Sequence, residues 1–176
     1  MNYYSTKIEY IRKELENKKS VPVYEPKKWK TFFGTSVNTN CYAYVLDLII
    51  PDHKKEIFIP GCISDSNAEK NLWSDVTGHV KKDLDFLGIT YREDDSSALQ
   101  SDEYRIALYY IPTFHDLPIG FHMVRQDENG DWSEKTGWKG SVQKIGVHGD
   151  KPPIYSEEVY GPIGPKLDSV LIIKRH

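Results

Sequence analysis

The chain has 176 residues, ample for a single domain with a proper hydrophobic core. A formal net charge of −3 lacks the basic excess that nucleic-acid binding calls for, and no stretch approaches the roughly 20 apolar residues of a membrane span. Two cysteines, Cys41 and Cys62, make no disulfide framework and read as thiols of a reducing compartment.

Met1-Asn2-Tyr3-Tyr4 opens no signal peptide, so the expected location is cytoplasmic, or reached by delivery without a recognisable signal. Residues 5–17 set Ile8, Ile11 and Leu15 on one stripe, which predicts a short helix packed as an arm on the main body. The stretch 18–33 is basic, holds Pro22 and Pro26, and reads as an extended connector anchored at Phe32-Phe33. Its lysines read as a solvated arm rather than a phosphate or lipid patch. The chain thus divides into an N-terminal helix and connector, 1–33, and a main domain, 34–176.

Gly34 to Asn40 is a polar loop. A helix over 40–50 follows, capped by Asn38 or Thr39 and apolar almost all round, as a buried helix is. Pro51 ends it. Ile57 to Gly61 is a short apolar run and a turn. Ser66 and Glu69 have capping-box spacing, and the next helix runs to Leu87, with Gly88 as its stop.

From here the pattern changes to strands. Ile89–Arg92 is short, and 93–103 is an acidic exposed loop. Tyr104–Ile111 is rich in β-formers. Gly120–Gln126 and Asp131–Lys135 flank Glu128-Asn129-Gly130, a hairpin signal. Ser141–Ile145 is a further strand, 146–166 a long surface loop rich in proline and glycine, and Asp168–Lys174 a closing strand. Helices first and an antiparallel sheet afterwards predict an α+β fold with a helix layer on one sheet face.

The chemistry lies in a pairing. Cys41 opens the apolar helix, where unpaired N–H groups favour a thiolate. His122 enters a strand and is placed to hold and return a proton. A third polar group would fix the imidazole tautomer. Hairpin register decides which. A two-residue loop turns Glu134 away from His122; a three-residue loop with Gly130 left-handed sets Glu134 opposite Val124, diagonal to His122 and within reach of it. Glu134 is therefore favoured, with Thr136 as the alternative. Asn38 and Asn40 are candidates for an oxyanion donor, and either could equally be the helix cap. Trp132 is a substrate-contact candidate, though core or cleft wall is its simplest reading, as for Trp138. Arg125, Gln126 and Asp127 read as braces of the hairpin. No histidine or cysteine spacing matches a metal site, and no cofactor is expected.

These residues resemble the papain-like cysteine hydrolases, in particular the bacterial cell-wall peptidase (NlpC-type) branch. The closer resemblance is to bacterial and phage proteins carrying Asn-Cys-Tyr-x-Tyr-Ala-Leu and His-x-x-Arg-Gln-Asp-x-x-Gly-x-Trp-Ser-x-Lys-x-Gly. This chain reads Asn40-Cys41-Tyr42-Ala43-Tyr44-Val45-Leu46, then His122-Met123-Val124-Arg125-Gln126-Asp127 and Gly130-Asp131-Trp132-Ser133-Glu134-Lys135-Thr136-Gly137. The likeness covers about 36 to 140. It departs at Glu134, where those relatives usually carry histidine. It implies a papain-like fold and hydrolysis of an amide bond in a peptide, a peptidoglycan stem or a protein, through a Cys41–His122–Glu134 triad and a thioester. Acyl transfer or deamidation would use the same residues. The alternative of another class is a binding or inhibitor protein of phage or toxin origin with a vestigial triad.

Overall fold

A computed structural model describes residues 3–30, 39–49, 58–64, 75–112, 118–137 and 140–175, the side chains of 3–7 and 118–119 excepted. Phe32-Phe33, Asn38, the Ser66–Glu69 box and Trp138 lie outside the described residues. Among these residues the strands are β1 (Tyr91–Glu93), β2 (Glu103–Pro112), β3 (Pro118–Gln126), β4 (Asp131–Lys135), β5 (Val142–His148) and β6 (Lys166–Lys174). They form one sheet in the order β1-β6-β2-β3-β4-β5, and every neighbouring pair is antiparallel.

The helices α1 (Tyr3–Glu16), α2 (Cys41–Val45) and α3 (Val76–Leu87), with the 3-10 turn Pro26–Trp29, share a core with Ile106, Leu108, Met123, Leu171 and Ile173 of the sheet. The alternate residues of β2 and β3, Ala107, Tyr109 and Val124, build a smaller cluster with Trp132 of β4 and Tyr155 on the opposite face. The fold is therefore α+β, with its helix layer on one face. No described helix is long and apolar enough to cross a membrane.

The connector is anchored by Trp29, which is buried in the core. Arg125 binds the arm, the helix layer and the hairpin together. Its guanidinium donates to the Val23 and Tyr44 carbonyls at 3.0 Å each, pairs with Asp47 at 3.2 Å and Asp127 at 3.1 Å, and lies 4.1 Å from the Tyr44 ring centroid.

The second helix is shorter than its apolar run predicts. All of Cys41–Leu48 is buried, but the helix closes after Val45. Asp47 turns left-handed at φ 57, and Leu48 N–H donates to the Ala43 carbonyl in a Schellman-type end. Asp47 accepts this conformation because Arg125, Lys28 and Lys18 all hold its carboxylate. Helix α3 begins at Val76. Asp75 caps it, accepting from Gly78 N–H at 2.7 Å, and left-handed Gly88 stops it.

The hairpin has a three-residue loop. Gly130 N–H donates to the Asp127 carbonyl, Gly130 sits at φ 83, and Val124 pairs with Glu134. A Cβ at Gly130 would meet the His148 ring at 3.0 Å as well as adopting a left-handed backbone. Gly130→Ala is expected to destabilise the fold by about 1–2 kcal/mol in urea titration.

Candidate active site

Asn40 positions the cysteine. Its side-chain oxygen accepts from Ala43 N–H at 3.1 Å, and its amide nitrogen donates to the Phe58 carbonyl. With both ends engaged and the residue buried, Asn40 is the helix cap and is not placed as an oxyanion donor. Asn38, the other candidate, lies outside the described residues. Cys41 follows the cap at the first helical position, buried at 4 % exposure.

His122 lies on β3, opposite Tyr109 of β2. On its other side the ladder to β4 reaches Val124–Glu134 and β4 ends at Lys135. The imidazole therefore sits where that ladder stops. Its Nε2 is 2.6 Å from Glu134 Oε2, and the ring is also hydrogen-bonded to the Cys41 side chain. With Nε2 on the carboxylate, Nδ1 is the nitrogen left for sulfur. The structure thus brings Cys41, His122 and Glu134 into one chain of contacts. Thr136, the alternative partner for His122, is exposed and donates to the Ser141 carbonyl.

Glu134 is held by more than His122. Gln143 of β5 donates to Oε1 at 2.7 Å, and the Tyr155 hydroxyl donates to Oε2 at 2.9 Å. The Tyr155 ring stands edge-on to His122, with centroids 5.8 Å apart, and edge-on to Tyr109. This corrects the expectation for 146–166. Strand β5 runs on to His148, Tyr109 OH bonds the Pro153 carbonyl at 2.7 Å, and a short helix α4 (Glu157–Tyr160) follows. The segment packs on the site instead of being only surface loop. Nothing in its prolines and glycines points to Tyr155.

Burial alone would lower the His122 pKa. The hydrogen bonds and charges of Cys41 and Glu134 outweigh it and raise the pKa to about 9. Burial works the other way on Glu134, but the bonds from His122, Gln143 and Tyr155 hold its pKa below the ordinary value. Burial and the Glu134 charge push the Tyr155 phenol up, so it remains a donor. Tyr155→Phe keeps the ring and removes that donor. The Glu134 titration, followed by carboxyl NMR, is expected to move up by about one pH unit, as the loss of a hydrogen bond to a charge implies.

Trp132 is not placed to touch a substrate. It is fully buried in the smaller cluster, and its indole N–H is spent on the Gly149 carbonyl at 2.8 Å. Cys62 sits half-buried in the turn Pro60–Ser64, gathered by the buried Asp83 carboxylate, which accepts from the N–H groups of Gly61, Ile63 and Ser64. Gln126 donates to the Gly149 carbonyl and Asp127 pairs with Arg125, so both brace the hairpin as Arg125 does. Among the described residues no group of three or more His, Cys, Asp or Glu is arranged to hold a metal ion.

Comparison of the chain with protein-family models, with curated proteins and with solved structures gives no match.

Proposed function

We propose that this chain is a cysteine-dependent hydrolase of amide bonds on a papain-like, NlpC-type scaffold. The observation that carries it is one imidazole bonded on one side to a thiol and on the other to a buried carboxylate. The Cys41 thiolate attacks the carbonyl carbon, and the imidazolium gives its proton to the departing amine, leaving a thioester. His122 then takes a proton from water, which attacks the thioester; a carboxylic acid leaves and the thiol is restored. Glu134 fixes the imidazole and supports its positive charge. The substrate class is a peptide, a peptidoglycan stem or a modified protein side chain, and the chemistry needs no cofactor.

Iodoacetamide at pH 6, with the modified residue located by mass spectrometry, tests this. Cys41 is expected to react about tenfold or more faster than free cysteine, because an ionised thiol is the reactive form. Cys62→Ser is expected to leave the rate unchanged. A Cys41 no faster than free cysteine would favour the vestigial, binding-only alternative.

A further inference from the structure

The short α2 leaves a gap in this scheme. A five-residue helix aligns few peptide dipoles, so its N-terminus contributes less to a thiolate than the longer helix expected from the sequence. Another charge lies close by. Lys135 ends β4 with 0 % exposure, which is rare for a lysine. Its neighbour two residues back, Ser133, points to the helix layer, where its hydroxyl meets Tyr44 OH at 2.7 Å. Arg125, the cross-strand partner of Ser133, binds Tyr44 and Asp47 at the C-terminal end of α2. By strand alternation Lys135 shares the Ser133 face. One step further along β4, it lies toward the N-terminal end of α2, where Cys41 is. Its ammonium is aimed by the turn after β4, donating to the Gly137 carbonyl at 3.0 Å and the Gly140 carbonyl at 2.9 Å.

We infer that Lys135 is a positioning residue for the nucleophile: its buried ammonium, held by the Gly137 and Gly140 carbonyls, is a second positive charge, beside His122, that favours the Cys41 thiolate. This rests on Cys41 being the nucleophile. Burial lowers the Lys135 pKa to about 8, and the Cys41 charge acts in the opposite direction. The ammonium is thus present at neutral pH and its charge is only partly screened by solvent. The other charged groups nearby are already engaged. Glu134 and, behind it, Tyr155 act on His122, while Arg125 and Asp47 compensate each other at the far end of α2. A lysine that merely stapled the turn would fix Gly137 and Gly140 but leave the thiol's titration alone.

The test uses the full chain carrying Cys62→Ser. Lys135→Met keeps the length and removes the charge; Lys135→Arg keeps the charge. The pH profile of Cys41 carbamidomethylation is expected to move to higher pH in Lys135→Met, with the rate at pH 6 about tenfold lower, and to be largely restored in Lys135→Arg. A second measurement leaves Lys135 in place. Coupling between two charges is reciprocal, so capping Cys41 as its neutral methyl disulfide with methyl methanethiosulfonate is expected to lower the Lys135 titration midpoint, read by nitrogen-15 NMR. An unchanged profile in a folded Lys135→Met overturns the inference. So does an unmoved Lys135 titration after capping, which decides the matter if Lys135→Met does not fold. Slow labelling of Cys41 with Lys135 intact would instead overturn the assignment of the nucleophile.

Discussion

Replacing His122 with alanine is expected to slow Cys41 alkylation at pH 6 by about tenfold or more, because the positive charge bonded to the sulfur is removed. At that pH the imidazole, with its pKa raised to about 9, is an imidazolium. Its loss removes the charge beside sulfur and, in the hydrolysis proposed above, the proton for the leaving amine. Glu134→Gln keeps the shape and the hydrogen-bonding capacity but not the charge, so its effect is expected to be smaller, and Glu134→Ala larger than Glu134→Gln. With a substrate in hand, turnover in the wild type should fall as pH rises through about 9, where His122 gives up its proton. The same titration bears on stability. His122 binds its proton more tightly folded than unfolded. It therefore contributes in full below its ordinary pKa of 6.5, and the contribution is lost as pH rises through about 9. His122→Ala should flatten that part of the stability profile, measured by urea unfolding from pH 6 to 10.

Arg125→Met is expected to cost about 3–5 kcal/mol in chemical unfolding at pH 7, because it strands buried carboxylates without their counter-charge. The two carboxylates fare differently. Asp47 keeps Lys28 and Lys18. Asp127 keeps the hydrogen bond from Ser133 and the charge of Lys144, but burial already holds its pKa above the ordinary value even against Arg125. Without the guanidinium that pKa rises further. The protonated acid needs no counter-ion, so the penalty should shrink as pH falls toward 4. A loss that grows on acidification would contradict this account.

Much of the site was legible because it depended on local rules. Gly130 demanded a left-handed turn, the turn set a three-residue loop, and the loop put Glu134 opposite Val124 and within reach of His122. Cys41 at a helix start followed from the polar loop before it and the apolar run after it. What was not legible came from distant partners. The apolar run 41–48 is buried throughout, yet it is not all helix, because Arg125 and two lysines pull Asp47 out of helical geometry. Asp75 caps α3, a role its own neighbours do not announce. Tyr155 and Gln143 reach Glu134 from segments whose own patterns say nothing about it. Trp132 read as cleft or core, and only its bond to the Gly149 carbonyl placed it inside. The burial of Lys135 was not legible either, because composition cannot report that the Gly137 and Gly140 carbonyls will receive its ammonium.

The strand order also governs how the molecule comes into being. Strand β6 lies between β1 and β2, which are made long before it. As the ribosome delivers the chain, neither can complete its ladder until Lys166–Lys174 has emerged. Strand β2 in turn supports β3, which carries the histidine. Such distant pairings close slowly, on the millisecond-to-second scale of sheet-rich topologies. The thiol, made before its imidazole, therefore waits until β6 has emerged, and a chain halted before Lys166 is expected to lack the Cys41–His122 pairing.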